Sequence, residues 1–406
     1  MKQLRFAVLA TATALALLAA PGAQAQEAVR PDVGKPLQAA QDLIKAGKYK
    51  EALAKVRDAD AVGNKNANEA YLVERMRIAA ASGAGDMEAA SRAFEALAAG
   101  GKVAAADKAR MAESIAGGYY RAKDYTRAMQ WGQRYFKEGG SNPAIRTLLI
   151  QSQYLAGDYA GAARELTAEI QAAEKGGTAP GQDRLNLLLN AAAQLKDTNA
   201  TVFALERLVT YYPKKEYWVD LLNRMQRKPG FSDRLVLDTY RLSLATGSLS
   251  SAADFMEMGQ LALQAGNEEE ARQVVDKGFA AGVLGSGAEA ERHKRVRDLV
   301  ARKVAEAKTN QAAAEAEAKA AKDGDGLVKL GFARAMGGDT AAGLQTMQQG
   351  IAKGGLKRPE DARLHLGIAQ VLAGDAKAQA TLRSVGGSDG TADLARLWSL
   401  YAKRRN

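Results

Sequence analysis

A short turn motif recurs along this chain and limits its possible folds more than any other sequence feature. The motif is a glycine or lysine that is usually followed by Asp or Asn. Its eight markers are Gly47, Gly85, Lys123, Gly157, Lys196, Gly266, Gly338 and Gly374. Their separations are 38, 38, 34, 39, 70, 72 and 36 residues, and the two long ones are close to twice the others. A period of 34 to 39 residues predicts stacked helix-turn-helix units, two of which have lost their marker.

The residue types in the motif fit a turn between two helices. Glycine adopts the left-handed conformation that ends a helix with little steric strain, and Asp or Asn after it can cap the next helix. That second place holds Asp86, Asp124, Asp158, Asp197, Asn267, Asp339 and Asp375. We therefore expect each marker to end one helix and its neighbour to begin the next.

Small residues at fixed places within the helices predict close packing. Gly259, Gly331 and Gly367 each lie seven residues before a marker, where a helical glycine costs roughly 0.5–1 kcal/mol relative to Ala. We expect a neighbouring helix to approach closely enough there to offset that loss. After the turn, large, small and large residues follow at i, i+3 and i+7 and share one face of the second helix. This order is seen at Tyr49, Ala52 and Val56, and again at Tyr159, Ala162 and Leu166.

The composition also favours a helical chain. Of the 406 residues, 47% are hydrophobic but only 6% are aromatic, so the apolar side chains are mostly small. The local patterns predict the following helix pairs: 35–46 with 49–59, 68–82 with 87–99, 105–121 with 125–138, 143–156 with 159–175, 182–195 with 199–211, 215–227 with 232–246, 251–265 with 268–281, 326–336 with 340–352 and 359–373 with 376–385.

Residues 287–322 interrupt this pattern. They are strong helix formers without a glycine marker, and two structures fit them: one long helix, or an antiparallel pair that turns near Thr309 and Asn310. We favour the pair, because the 72-residue marker separation around this tract preserves the period.

The first 25 residues have the pattern of a secretory signal peptide. Lys2 and Arg5 precede an apolar run over 6–20, which is too short for the roughly 20 residues of a membrane span, and Ala25 ends a small-x-small cleavage site. A retained anchoring segment is the alternative. The chain has no cysteine for lipid attachment or disulfides. We expect a periplasmic protein without stable membrane insertion after cleavage, although secretion also fits.

The formal net charge is +11, and removal of Lys2 and Arg5 with the signal peptide leaves +9. This mild excess permits attraction to anionic envelope polymers without requiring it. The run from Arg292 to Lys303 is the most basic part of the chain, with Val296 and Val300 between its charges. It is either a patch for an acidic partner or anionic lipid, or a solvated helix face packed by this apolar stripe, and we favour the solvated face. Nucleic acid is not an expected partner outside the cytoplasm.

The sequence offers few routes to catalysis or metal binding. The two histidines, His293 and His365, lack companion ligands at metal-binding spacing, so we interpret each as a structural or surface histidine and expect His293 to lie in an exposed stretch. Glycine-rich stretches over 282–287 and 323–326 lack the flanking residues of a nucleotide or calcium loop, so we interpret them as linkers. We expect no enzyme activity, no cofactor and no metal.

The combined pattern resembles the tetratricopeptide repeat family over about residues 35–286 and 324–386. The shared features are Leu-Gly in the first helix, Gly at the turn, then Tyr, Ala and a large apolar residue at fixed spacing. The family's Trp in the first helix is missing here. As a whole, the chain resembles exported bacterial tetratricopeptide repeat proteins. The resemblance implies an all-α α-solenoid, a right-handed superhelix of stacked helix-turn-helix repeats.

The expected organisation has four parts: a signal peptide over 1–25, an N-terminal repeat array over 26–286, the Ala/Glu/Lys-rich helical segment over 287–322, and C-terminal repeats over 323–406. We expect the last helix, from Thr391 onward, to cap the array with Leu394, Leu397 and Trp398 on one face. A partner-binding helix is the alternative for this segment.

The resemblance also implies a binding groove lined by the first helix of each pair. The matching positions are Arg75, Arg110, Glu113, Tyr120, Thr147, Gln151, Tyr154, Asn186, Asn190, Trp218, Gln260 and Gln264. This mixture of amide, aromatic and charged groups suits an extended peptide or a partner helix. We therefore expect a non-catalytic scaffold that binds an envelope protein or peptide, with a binding protein for anionic cell-wall or glycan material as the alternative. The sequence does not indicate the oligomeric state.

Overall fold

The computed structural model describes residues 28–101 and 103–403, and 77% of these described residues are helical. No β-strand occurs within these ranges. The expected signal peptide, residues 1–25, lies outside the described residues. No helix in the described ranges is both long enough and apolar enough to cross a bilayer.

The chain divides into two compact units, Met1–Thr167 and Ala168–Asn406, with the division inside one helix. The helices of the first unit are α1 (Pro31–Lys45), α2 (Tyr49–Asp60), α3 (Ala67–Ala84), α4 (Met87–Ala99), α5 (Ala105–Arg121), α6 (Tyr125–Lys137), α7 (Pro143–Leu155) and the start of α8 (Tyr159–Lys175). Each helix from α1 to α6 packs against the next, and α1, α3, α5 and α7 also contact one another in that order.

The second unit continues with α9 (Gln182–Leu195), α10 (Thr198–Tyr211), α11 (Lys215–Gln226), a 3-10 turn (Asp233–Leu235), α12 (Val236–Thr246), α13 (Ala252–Gln264), α14 (Glu268–Ala280), α15 (Ala290–Ala320), α16 (Asp325–Met336), α17 (Thr340–Lys353), α18 (Pro359–Ala373), α19 (Ala378–Arg383) and α20 (Thr391–Ala402). Successive helices from α9 to α20 are in contact. The expected all-α array of stacked helix pairs is confirmed.

The turn markers adopt the conformation that the sequence predicts. All eight have positive φ, from 54° at Lys196 to 106° at Gly338. The residue after the marker caps the next helix in four repeats, where Asp86, Asp124, Asp158 and Asp197 accept a backbone N–H at 2.9–3.0 Å. Asn267 and Asp339 make no such side-chain bond, so capping is less regular than expected.

Glycines inside helices mark close helix contacts, as expected. A Cβ on Gly259 would lie 2.9 Å from a methyl group of Val275, and one on Gly367 would lie 2.5 Å from Leu382. Between α16 and α17 the contact involves the backbone itself, since a Cβ on Gly331 would lie 2.6 Å from the Gly343 carbonyl oxygen. These helices therefore meet backbone to backbone, and each glycine provides the space for the other.

The repeated large-small-large face of the second helices contributes to the core of unit 1. Ala52, Val56, Ala162 and Leu166 are all fully buried, and Phe94 is 1% exposed. Burial of such side chains is the main favourable term in folding, worth roughly 1.5–3 kcal/mol for each large one. The sequence pattern therefore identifies the packing face of the second helices correctly.

Residues 290–320 form a single helix, so the expectation of an antiparallel pair is wrong. Strong helix formers continue without interruption through this tract, and no residue near Thr309 ends a helix. Helix propensity therefore outweighs the turn that the spacing of the markers predicts here. Val300 and Val304, in the first half of α15, lie in the core of unit 2, and Ala318 is buried near the end of the helix. Between them, every residue over 305–314 except Ala307 is exposed. Helices α14 and α16 contact each other directly, and α15 connects them as an arch.

Helix α20 does more than end the stack. Leu394, Leu397 and Trp398 are buried, as expected for a cap. However, α20 contacts α10 and α12 as well as its neighbours α18 and α19. Unit 2 therefore folds back on itself, with its last helices against helices that lie more than 100 residues earlier in the sequence.

The beginning of the described chain is held by a buried carboxylate on α3. Glu69 is fully buried and accepts hydrogen bonds from the Arg30 side chain at 2.8–3.2 Å and from the backbone N–H of Arg30 and Asn66. The bonds from the Arg30 side chain, and then that from its backbone N–H, lower the pKa of Glu69 from 4.5 to about 2.

The first prediction concerns the α16–α17 contact. We expect Gly343→Ala to lower the free energy of unfolding by about 1–3 kcal/mol, because its Cβ would lie 2.6 Å from the Gly331 oxygen and the Ala335 nitrogen, which belong to rigid backbone. Urea denaturation measures the change. The control is Gly117→Ala on α5, where only a flexible Arg121 nitrogen is near, and which should stabilise by about 0.4–1 kcal/mol. Equal effects of the two substitutions would contradict the close contact.

The second prediction concerns pH. Because folding depresses the pKa of Glu69, the stabilisation from its charge is present above about pH 4.5 and is lost as the pH falls toward about 2. Wild type should therefore exceed Glu69→Gln in stability at neutral pH, and the difference should shrink through this acidic window. Thermal melting at a series of pH values measures it. A difference that stays constant down to pH 2 would show that the carboxylate charge is not responsible.

Candidate binding surfaces

The groove residues expected in unit 1 lie on three adjacent first helices, α3, α5 and α7. We define the first-helix surface of unit 1 as Arg75, Arg110, Glu113, Tyr120, Thr147, Gln151 and Tyr154. Arg110 is exposed, and the other six are half-buried. Half-buried polar and aromatic side chains on neighbouring helices can contact both the protein and a ligand.

Hydrogen bonds join α5 to α7 across this surface. The Tyr120 hydroxyl donates to Gln151 Oε1 at 2.9 Å, and Asn142 Nδ2 donates to Glu113 Oε1 at the same distance. Asn142 also caps α7, since its Oδ1 accepts the Ala144 N–H at 3.0 Å. Burial, and then the neighbouring Tyr125, raise the pKa of Tyr120, so this hydroxyl stays a proton donor over a wide pH range. The sequence reasoning missed Asn142, whose position at a helix start gave only a capping signal.

Two tyrosine pairs lie at the turn end of the same helices. The rings of Tyr120 and Tyr125 are 5.6 Å apart and those of Tyr154 and Tyr159 are 5.2 Å apart, both edge to face. In each pair, a predicted surface residue packs on the tyrosine that begins the second helix. The repeat therefore fixes the position of these two aromatic side chains.

In unit 2 the expected groove residues are less uniform. Asn190, Gln260 and Gln264 are exposed, and Asn186 is half-buried. The Tyr217 hydroxyl donates to Asn186 Oδ1 at 3.2 Å, which links α9 to α11.

Trp218 does not lie on a binding surface. It is 1% exposed and belongs to the core, so the expectation that it faces a groove is wrong. Adjacent helix positions are about 100° apart around the axis, and Tyr217 takes the surface place instead. This repeat has no turn marker, so the sequence did not determine which of the two neighbouring residues faces the core. Burial of the larger apolar Trp218 side chain is the more favourable arrangement.

A cavity of about 790 Å³ lies beneath the arch of α15. Its wall from α15 includes Val304, Ala307, Lys308, Gln311, Ala314, Glu317 and Ala318, and its floor includes Glu268, Glu269, Lys329, Leu330, Ala333 and Arg334. The volume is typical of ligand sites. Charges of both signs line the cavity, and several are paired, as in Arg334 with Glu315 at 3.0 Å. A hydrogen bond from Arg272 lowers the pKa of Glu269, and this effect outweighs burial, which would raise it.

A buried charge cluster in unit 2 was not expected from the sequence. Arg241 donates to both oxygens of Glu270 at 2.7 and 2.6 Å and to Asp238 at 2.6 Å. All three residues are at most 4% exposed. His365 Nε2 lies 3.0 Å from the second Asp238 oxygen, so α12, α14 and α18 meet at this point. Two carboxylates around one guanidinium satisfy most of its donors, as a buried charge requires.

The cluster keeps its charges because its members compensate one another. Burial opposes the charged form of Asp238, but His365 and Arg241 outweigh it and lower the pKa of Asp238 to about 2. The ring of Phe332 stacks on His365 with centroids 4.1 Å apart, and the Arg241 guanidinium lies 4.7 Å from the same ring. His365 is thus structural, as expected.

His293 is placed differently from the expectation. His293 is buried, with 5% of its surface exposed. Its Nδ1 accepts the N–H of Gly285, in the loop before α15, at 3.1 Å. Within the described ranges, no group of three or more His, Cys, Asp or Glu residues could hold a metal ion.

The third prediction concerns the buried cluster. We expect Arg241→Met to lower the free energy of unfolding by about 3–5 kcal/mol, because it leaves two buried carboxylates without their cation. Denaturant unfolding measures the change. The control is Arg272→Met on α14, a partly exposed arginine whose ion pairs should contribute at most about 1 kcal/mol. If Arg241→Met cost no more than this control, the cluster would not be important for stability.

Comparison with known proteins gives structural neighbours only. No protein-family model and no curated protein matches the chain. The TPR2AB domain of yeast Sti1, solved in complex with pHSP90, has a TM-score of 0.23 and 12% identity, over 73% of this chain and 99% of that one. The maize pentatricopeptide repeat protein PPR10 has a TM-score of 0.30 and 14% identity, over 91% and 61%. Yeast Tom70 has a TM-score of 0.20 and 11% identity, over 92% and 96%.

These scores are too low to align repeats or transfer residues. The assignment depends instead on the period of the markers, their left-handed backbone and the small residues between paired helices. On these features the chain is an array of stacked helical repeats.

Proposed function

We propose that this protein is a non-catalytic interaction scaffold of the periplasm that binds an envelope protein or peptide through the first-helix surface of unit 1. The observation that carries the proposal is the link between α5 and α7, where Tyr120 donates to Gln151 and Asn142 to Glu113. Both bonds hold polar side chains at fixed positions on adjacent helices. A surface fixed in this way loses little side-chain entropy when a ligand binds.

The chemistry of the surface favours a peptide ligand. Gln151 and Thr147 can exchange hydrogen bonds with an extended backbone, and Tyr154 offers an amphipathic ring. Arg75 and Arg110 add cationic groups at the side of α3 and α5, which suit acidic side chains of a ligand. Interfaces are commonly rich in tyrosine and arginine for these reasons.

The proposed location follows from the sequence. Residues 1–25 combine two cations, a short apolar run and Ala25 at a small-x-small site. A chain without cysteine needs no disulfide formation after export, since a repeat core of this size supplies its own stability. The periplasm is therefore the compartment in which we place the interaction.

The fourth prediction tests the surface in intact cells. A photoreactive amino acid at position 75 or 110 should crosslink to one discrete protein partner, because both positions lie on the first-helix surface of unit 1 and neither takes part in the bonds that join α5 to α7. The controls place the same group at Arg92 on α4 and Gln130 on α6, which are exposed positions on second helices. Gel shifts and mass spectrometry of the adducts measure the outcome.

Adducts of equal yield at the first-helix and second-helix positions would contradict a specific surface. Adducts with glycan in place of protein, lost steeply as salt rises, would favour an anionic polymer as the ligand. Failure to recover the protein from the periplasmic fraction would contradict the proposed location. The crosslinking test of the surface would then be repeated in the cell fraction that contains the protein.

A further inference from the structure

Unit 2 brings together two segments that are far apart in sequence, and charged side chains make most of the polar contacts between them. We define the seam as Lys228, Arg234 and Asp238 on one side and Asp361, His365, Asp389 and Asp393 on the other. Arg234 donates to both oxygens of Asp361 at 2.8 and 2.9 Å and to Asp389 at 2.7 Å. Lys228 reaches Asp393 at 2.7 Å.

One end of the seam is also closed by backbone. The Ser232 N–H donates to the Asp389 carbonyl at 2.9 Å. Gly390 follows at once, with a φ of 100°, and its position leaves no room for a side chain, because a Cβ there would lie 2.5 Å from the Phe231 ring. At the other end, His365 meets Asp238 at 3.0 Å, next to Arg241 and Glu270 of the buried cluster.

The part of the seam around Lys228, Arg234 and Asp389 is accessible to solvent, whereas Asp238 at its other end is 3% exposed and belongs to the buried cluster. The side chains of Lys228, Arg234 and Asp389 are 57%, 25% and 42% exposed. Exposed ion pairs each contribute only about 0–1 kcal/mol and weaken as salt screens them. In contrast, α18 and α19 on one side of the seam are closely packed, since a Cβ on Gly367 would lie 2.5 Å from Leu382. The seam should therefore separate before the helix pairs on either side unfold.

Closing the seam also orders a long loop. The Lys228–Asp393 pair joins residues separated by 165 positions and the Arg234–Asp361 pair joins residues separated by 127. The entropy of closing such loops opposes the closed form, although it grows only slowly with length. A few pairs of moderate strength then oppose that entropy, and small changes in them shift the balance between closed and open forms.

We propose that this seam is a salt-sensitive clasp: screening of its ion pairs releases α18–α20 from α10–α12 while the helices on both sides stay folded. Opening uncovers the side of α20 that faces α10 and α12, together with Phe231 and Leu235. Those apolar surfaces are hidden in the closed form, in which Leu235 is 1% exposed. The device belongs to unit 2 and does not depend on the ligand of unit 1.

Hydrogen exchange read by mass spectrometry on the full chain tests the clasp. In wild type, a rise from low to about 0.5 M salt should increase amide exchange in α18 and α20 and leave α5 and α13 unchanged. In Arg234→Gln, those two helices should exchange about tenfold faster or more at low salt, as the loss of charge-assisted bonds implies, with helical circular dichroism retained. The control is Arg272→Gln on α14, whose ion pairs lie outside the seam.

The proposal would be overturned if amides in α18 and α20 exchanged only together with those of α9–α14. It would also be overturned if their exchange rates did not change with salt concentration. If Arg234→Gln does not fold, Asp389→Asn gives the same test, because it removes one of two carboxylates and leaves Arg234 paired with Asp361.

The absence of native cysteine allows a second measurement, with spin labels at Arg227→Cys and Ser388→Cys, both exposed. Their distance should lengthen with salt, and an unchanged distance would contradict the clasp.

Discussion

Two helices can meet at backbone distance only where side chains are absent or small, and the rest of this structure depends on that limit. Gly331 and Gly343 satisfy this condition between α16 and α17, because a Cβ on either residue would lie 2.6 Å from the backbone of the other helix. Ala40 and Ala116 occupy the place equivalent to Gly331 in other repeats and are fully buried. Fixed spacing within the pairs then determines which side chains face the neighbouring helices and which face solvent.

The sequence predicted features that depend on local interactions. Left-handed markers, helix ends within a few residues and the buried large-small-large face all follow from residues close together in the chain. The same logic failed where no local signal exists. Residues 290–320 form one helix because helix propensity outweighs an extrapolated period, and Trp218 is buried because a repeat without its marker gave the wrong register.

The candidate site was predictable only in part, for a related reason. Tyr120 and Gln151 were identified from the repeat, yet the bond between them, like that from Asn142 to Glu113, depends on how α5 packs on α7. The buried cluster of Asp238, Arg241 and Glu270 gave no sequence signal at all. Its residues are ordinary charged residues until the return of α18 places His365 beside Asp238, 127 positions away.

The same contacts change how the positive charge of the chain should be interpreted. The basic run over 292–303 suggested an acidic partner, but four of its six cations have carboxylate partners within 3.2 Å in the described structure. Arg297, for example, pairs with Asp276 and lies over the Phe279 ring, so it attaches α15 to α14. Paired cations attract a polyanion less than free ones, because a competing anion must first displace the carboxylate. Most of these cations are thus neutralised locally within or next to α15, and only pairs such as Arg297 with Asp276 join separate helices. Recognition is better sought on the polar first-helix surface of unit 1.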